Sequence, residues 1–453
     1  MKRAAVHGLK RRQTGAATLV VVMVLFFIIS LVAAYTSRNL IFEQRTSTNQ
    51  YRSTQALEAA DAAMEWALSM LNHGRITDAC TTSTISADLS FRQRYLNVDA
   101  VTGKITPVLS AAGVPLQPSC VHTPTGWSCS CPTTGLPTLT PPTAAGVWPA
   151  FRVRFRAVAG EAGTPTVPKQ PGVIKLEVVG CTRVDPDPTV GEQCLSFDGR
   201  GALNEGRVLA SSLVALAGNP SGAPHAALTA RGDVNVGGAA LSAYNTAPSG
   251  LGITVHSGGI INTAGLVLRT APGTPEAASI IPSDTAFALP ATGTFTTSDR
   301  MFATVFNMRP TTFQTQPAAL TLNCPISGCS ASVVRDALLL NPSRPLWLTG
   351  SLLVDSAGDI GAPGNPALIV VNGDLQFVTA GVNIHGLVFN RLAVGSTTWT
   401  TTGSGQVNGA VVAEGGVGGT GTPTIVYDEA VLRHLRFNNG SFVRVPSSWR
   451  DFR

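Results

Sequence analysis

Residues 16–35 read AATLVVVMVLFFIISLVAAY, inside a run from Gln13 to Ser37 that carries no formally charged side chain. About 20 apolar residues are what an α-helix needs to cross a bilayer core, so this stretch is a membrane segment and decides where the rest of the chain goes. Lys2, Arg3, Lys10, Arg11 and Arg12 precede it with no acid among them. Positive residues on that flank keep the N-terminus in the cytoplasm and send the downstream chain across the membrane. A secretory signal peptide has a shorter apolar region that ends at a small-residue cleavage site before a polar mature start, whereas here helical patterning continues past Tyr35.

Downstream, Ala56, Ala60, Ala63, Met64, Ala67, Leu68 and Leu71 recur at three- and four-residue spacing, with Glu58, Asp61, Glu65, Ser69 and Asn72 on the other side, the pattern of an amphipathic helix. Gly74 suits its stop, and no proline falls within residues 16–72. One rod of that length runs about 85 Å at 1.5 Å per residue, half in lipid and half packed on a globular domain.

The whole chain has 453 residues, 44% hydrophobic and only 13% charged, which excludes a coiled-coil rod or a highly charged disordered chain. Its length calls for more than one domain. The formal charge is +6, but five of those charges lie in the leader, which leaves +1 for the remaining 438 residues. A nucleic-acid binder carries its basic residues on a folded surface, so DNA and RNA are discounted as partners.

The run Arg12-Gln13-Thr14-Gly15-Ala16-Ala17-Thr18-Leu19-Val20, the apolar helix, Phe42-Glu43-Gln44-Arg45, and Gln55-Ala56-Leu57-Glu58-Ala59-Ala60-Asp61-Ala62-Ala63-Met64 together resemble the N-terminal region of PilX-type minor pilins over roughly residues 10–72. The resemblance implies cleavage by a prepilin peptidase after Gly15, and a mature, N-methylated chain that begins at Ala16. It also implies partners: other minor pilins, the major pilin, the inner-membrane assembly platform and a tip adhesin. Major pilins resemble one another in a Glu five residues into the mature chain, where this sequence has Val20. Such a carboxylate neutralises the terminal ammonium of a neighbouring subunit in an apolar filament core, where an unpaired charge is very costly. Val20 cannot do so, which suits a subunit with none ahead of it, at a fibre tip or in an initiating complex.

Eight cysteines lie beyond the membrane helix, an even number in an exported segment, so disulfides are expected. Cys181 and Cys194 bracket an Asp/Pro-rich loop and Cys324 and Cys329 bracket Pro-Ile-Ser-Gly, which makes these the preferred local pairs. The pairing of Cys80, Cys120, Cys129 and Cys131 is left open. A zinc site at Cys120, Cys129 and Cys131 is the sharper alternative, but a C-x-C spacing is unusual for structural zinc. No metal and no cofactor is expected.

Residues 101–149, rich in Pro, Thr and Gly, read as a long irregular loop. Strands come next where Phe151, Val153 and Phe155 alternate with Arg152, Arg154 and Arg156, where Ile174, Leu176 and Val178 alternate with Lys175 and Glu177, and over Val208 to Leu216. The three arginines read as a solvated face with partial pairing to Glu177. A long helix followed by an antiparallel meander looks like the pilin α/β roll. After about residue 220, brief apolar bursts such as 233–237, 252–255, 350–354, 367–371, 374–377, 384–389 and 409–412 recur between Gly and Asn turns. They suggest a parallel β-helix or solenoid; a β-sandwich also uses many short strands.

The fold class expected is therefore α+β, a long membrane and pilin helix on an antiparallel meander followed by a β-rich, β-helical domain. The divisions are a leader (1–15), the helix (16–72, with 16–35 in the membrane), a pilin-like domain (73–220), the extension (221–430, with an insertion of mixed structure at 271–345) and a C-terminal segment (431–453). Asp355 and Asp374, 19 residues apart, are the best enzyme-like pair, since glycoside chemistry needs two carboxylates, but Asp is common in turns and no catalysis is expected. Arg231-Gly232-Asp233 lies at a turn, His256 and His385 read as structural, and Gly415, Gly416, Gly418, Gly419 and Gly421 read as a mobile turn. The expected role is a minor pilin of a Gram-negative type IV pilus, in the inner membrane and then in the fibre. A tip pseudopilin of a type II secretion system, a pilin-anchored carbohydrate-binding or carbohydrate-degrading module, and a membrane-anchored adhesin without pilus assembly are the rivals.

Overall fold

The computed structural model describes residues 15–451 apart from 136, 138, 141, 143–147, 159–169, 184–193, 198–204, 218–219, 221–223, 239, 248–250, 289–296, 392–397 and 402. One helix, α1, spans Gly15–Leu71. Its first forty residues touch little, while Ala56, Ala59, Ala60, Ala63, Met64, Ala67, Met70 and Leu71 are buried. Small alanines on that stripe let the helix lie close to a sheet. The approach is tightest at two glycines of the sheet side: a Cβ on Gly180 would meet the Ala56 carbonyl oxygen at 2.3 Å, and one on Gly206 would meet that of Arg52 at 2.3 Å.

The sheet under the helix has six strands in the order Ser441–Arg444, Arg207–Ala217, Val173–Cys181, Ala150–Arg156, Ser119–Thr123, Gly126–Ser130. Every neighbouring pair is antiparallel. Three of these strands lie where alternation predicts them. The other three do not. The stretch read as an irregular loop holds the Ser119–Thr123 and Gly126–Ser130 hairpin, whose facing residues Cys120 and Cys129 are disulfide-bonded. The C-terminal segment read as separate returns to this sheet and supplies its edge strand.

The arginine face is a further correction. Arg152 and Arg154 are only 3% and 8% exposed, because the segment closed by Cys181–Cys194 lays Leu195 and Phe197 over that side with Val121 and Val179. Arg154 donates to Glu177 at 2.7 Å and stands over the Phe197 ring at 4.1 Å, while Arg152 donates to the Ser119 hydroxyl. Burial by itself raises the Glu177 carboxyl, but bonds from Lys175 and Arg154 outweigh it and hold the group below the usual carboxylate range. Buried charge is tolerated here because it is paired and hydrogen-bonded.

Leu96–Val98 and Ile105–Pro107 form a separate antiparallel pair, and the strands between Arg207–Ala217 and Ser441–Arg444 form an inserted stack of parallel strands. Its spatial order differs from its sequence order. Leu320–Leu322, Leu346–Leu348, Ala367–Asn372, Asn383–Arg391 and Gln406–Ala413 lie side by side in that order. Gln406–Ala413 then pairs onward with Ala226–Ala230, the first strand of the insert, which pairs with Ile253–Ser257 and so to Ile280–Ile281. One aliphatic ladder crosses the join: Leu320, Leu346, Ile369, Val388, Val411, Leu228, Val255, Ile280 are successive partners. On the adjoining face Cys329, Leu352 and Leu375 are partners at 23-residue steps.

The segment read as an insertion is thus not wholly outside the stack, since Leu320–Leu322 and Cys329–Ser330 form its outermost rung. Helices Thr297–Phe306 and Pro310–Thr315 cover one side, with Phe302, Phe306 and Phe313 against Trp347 and Phe389. The glycines read as a mobile turn include the strand Gly416–Gly419, paired in parallel with Thr398–Thr401. Side-chain-free backbone fits there because rungs approach closely, as at Gly232, where a Cβ would meet the Gly416 amide at 2.8 Å.

Gly180→Val forces a side chain into the Ala56 backbone. We expect a loss of roughly 2–3 kcal/mol, read as a lower thermal midpoint, with the midpoint of Gly364→Ala, in open space, unchanged.

Candidate assembly helix and its junction

The candidate site is the exposed half of α1. From Leu19 to Phe42 every large apolar side chain is more than half exposed, and the helix has the length and apolarity to cross a membrane. Val20 is 58% exposed on this surface. Gly15 opens the helix and Ala16 is in its first turn; the leader, residues 1–14, lies outside the described residues. Thr36, Thr46 and Thr48 return their hydroxyls to carbonyls one turn back, which satisfies them without a partner.

The buried end of α1 is the point at which the sheet and the parallel stack meet. Asn72 acts as a strand partner: its Nδ2 donates to the Phe442 carbonyl at 2.9 Å and its Oδ1 accepts from the Phe442 amide at 2.8 Å. Arg92 gathers four carbonyls from distant segments, those of Leu71, Ser343, Asn438 and Gly440. Burial, reinforced by the charge of Arg344, pulls its guanidinium down to about 9, so it is still cationic at neutral pH. Arg75 donates to the Leu339 carbonyl at 2.5 Å and its amide to that of Leu340. Arg444 closes the outer side on Glu65 at 2.6 Å.

Residues 14–65 match the family model described as PilX N-terminal. The chain carries a PilX N-terminal region. It covers α1 from its start to within two turns of the buried end, including Gly15, Ala16 and Val20. Among solved structures the chain is similar to the competence-associated pilin ComZ from Thermus thermophilus, with 11% identity over 88% of this chain and 97% of that chain at a TM-score of 0.20. No curated protein matches the chain.

Behind this PilX N-terminal region all eight cysteines are bonded: Cys80–Cys131, Cys120–Cys129, Cys181–Cys194 and Cys324–Cys329. The last two are the pairs that local spacing favours. The zinc alternative needs three thiolates that the disulfides consume. Cys80–Cys131 ties the segment after the helix to the end of the hairpin, a link between residues 51 apart that no local rule finds.

The other motifs are absorbed by structure. Asp355 accepts from the Ser330 hydroxyl and the Ala331 amide at the start of the helix Ala331–Leu340. His256 meets Asp284 at 2.7 Å, and His385 lies 3.7 Å from Asp359. Asp233 holds the Ile260 amide, and Arg231 donates to the Glu414 carbonyl.

Sequence reading missed Glu414. It is 2% exposed, one carboxylate oxygen accepts from Arg391 at 3.0 Å, and the other has no partner among the described residues. Arg391 also pairs with Asp299 at 2.9 Å on the covering helix. Burial raises the Glu414 carboxyl to about 7 against the pull of Arg391. An acid with a raised folded value stabilises most below its unfolded value and loses that contribution as pH rises through the folded one. Stability should therefore fall between about pH 4.5 and pH 7.5 by the order of 2–3 kcal/mol. Denaturant midpoints across that range should flatten in Glu414→Gln.

Proposed function

We propose that this chain is a minor pilin of a type IV pilus, acting in fibre assembly or initiation at or near the tip and displaying the β-rich insert for adhesion or partner binding. The observation that carries this reading is the division of α1: one continuous helix whose first part offers an unbroken apolar surface and whose last turns are buried under a sheet. The exposed part waits in the inner membrane after a prepilin peptidase removes the leader after Gly15. On assembly it exchanges lipid contacts for packing against other pilin helices, a change in which close fit and not a gain of apolar burial drives association.

Val20 supports the tip position. A subunit in the shaft needs a carboxylate to meet its neighbour's terminal ammonium, and a valine leaves that charge unmet at a cost of several kcal/mol. The parallel stack, read as a β-helix-type solenoid, adds bulk that a tightly packed shaft excludes and a tip accepts. The role is assembly and not turnover: Asp355, one member of the enzyme-like pair, is occupied in capping a helix. The inferred partners are other minor pilins, the major pilin, the assembly platform and a tip adhesin.

Mass spectrometry of the native protein should find a mature chain that starts at an N-methylated Ala16. An intact Met1, or a start after Tyr35, overturns the reading. Val20→Glu should increase the amount of the chain recovered in sheared fibres relative to membranes, measured by immunoblot, because the added carboxylate lets it enter the shaft.

A further inference from the structure

Two cavities flank the turn at 361–365, where the parallel stack meets the sheet. The first, of about 260 Å³, is lined by Arg92 and His434, by the carboxamides of Gln93, Asn97, Asn365 and Asn438, and by two aromatic rings, Phe437 and Phe442. No Asp or Glu is among its described lining residues. The second, of about 390 Å³, is lined by Arg335, Asp336 and Asp359. Asn365 borders both, so the turn is their shared wall.

We infer that this pair of cavities is a binding site for an acidic oligosaccharide, with a carboxylated sugar ring in the first cavity and a neutral ring in the second. Charge selects the acid. Arg92 is cationic, faces Arg344 and is matched by carbonyl dipoles and by the face of the Phe442 ring at 5.1 Å, with no carboxylate among the described lining residues, so the first cavity holds positive charge without a counter-charge. Three of its guanidinium nitrogens make four bonds to carbonyls, which leaves one of five N–H groups for a ligand. Asn438 Nδ2 is a second donor, buried and without a partner among the described residues.

The remaining lining suits a sugar better than a bare anion. Four carboxamides and the ring of Phe437 give donors, acceptors and an apolar face, the mixture that fixes a polyhydroxylated ring. Phe437 is held in place by the sheet side, since a Cβ on Gly103 would come within 2.4 Å of its ring. In the second cavity Asp336 and Asp359 are acceptors suited to the hydroxyls of an uncharged ring. This site gives the displayed insert of the proposed pilin a ligand class, and for its biological setting it rests on that reading.

Gly364 supplies the test. It lines the first cavity, and a Cβ added to it meets nothing within 4 Å, so Gly364→Ala adds a methyl in open space while Gly364→Leu sets a bulky side chain at the cavity wall. The detergent-solubilised full chain is titrated calorimetrically with glucuronic acid, N-acetylneuraminic acid, glucose and sodium acetate. We expect at least one acidic sugar to bind about tenfold tighter than both glucose and acetate, Gly364→Leu to lose about tenfold, and Gly364→Ala to bind as the parent does. Equal affinity for acetate shows a bare-anion site and overturns the proposal, as does equal affinity for glucose, absence of binding, or binding indifferent to Gly364→Leu. Fibre incorporation of the same variants is scored in parallel. A Gly364→Leu chain that enters fibres but has lost the sugar supports the site as separate from assembly. Sugar binding by a parent chain that never enters a fibre supports the site and removes the pilin reading.

Discussion

The pairing of Val411 with Leu228 is the contact on which the rest of the architecture depends. It joins the last long strand of the inserted stack to its first, so the chain enters and leaves the stack at neighbouring rungs in its middle. The chain then comes back as Ser441–Arg444 and pairs with Arg207–Ala217, which it left more than two hundred residues earlier. The aliphatic ladder through Val388, Val411, Leu228 and Val255 continues across the join, where all four side chains are fully buried. A large domain is thereby carried on a small sheet without extending its length.

The sheet in turn depends on the helix. Alanines on one side and glycines on the other bring backbone against backbone, and Asn72 and Arg92 then bind the end of that helix to segments from the far end of the chain. Force on the apolar half of α1 therefore reaches both lobes through hydrogen bonds to the main chain, which do not depend on the identity of the residues that accept them. Charges are buried where this framework requires it. Arg154 and Glu177 neutralise one another under the disulfide-closed segment, whereas Glu414 has an imperfect partner set and remains close to protonation at neutral pH.

Much of this was legible in the chain as text. The apolar run, the alanine stripe and the three alternating strands come from periodicity and need no knowledge of the fold, and the two local disulfides come from short spacing. The arginine face misled because alternation reports only that two faces differ; Phe197 and Leu195, which cover it, lie beyond a loop that carries no pattern. The hairpin of Cys120 and Cys129 hid in a Pro- and Thr-rich stretch whose strand character comes from pairing and a covalent bond. Glu414 gave no signal, since a single acid after an apolar strand looks like a turn residue, and Arg391 and Asp299 reach it from remote elements.

Local chemistry alone determined the helix, its division into a lipid-facing and a sheet-facing half, and the presence of many short strands after residue 220. Which strands are neighbours was decided only in three dimensions. The order of rungs, the return of the C-terminal strand and the cavities beside the 361–365 turn arise from pairings between residues far apart in the chain. Similar apolar bursts satisfy many orders equally well in one dimension, and only the simultaneous burial of every ladder selects one.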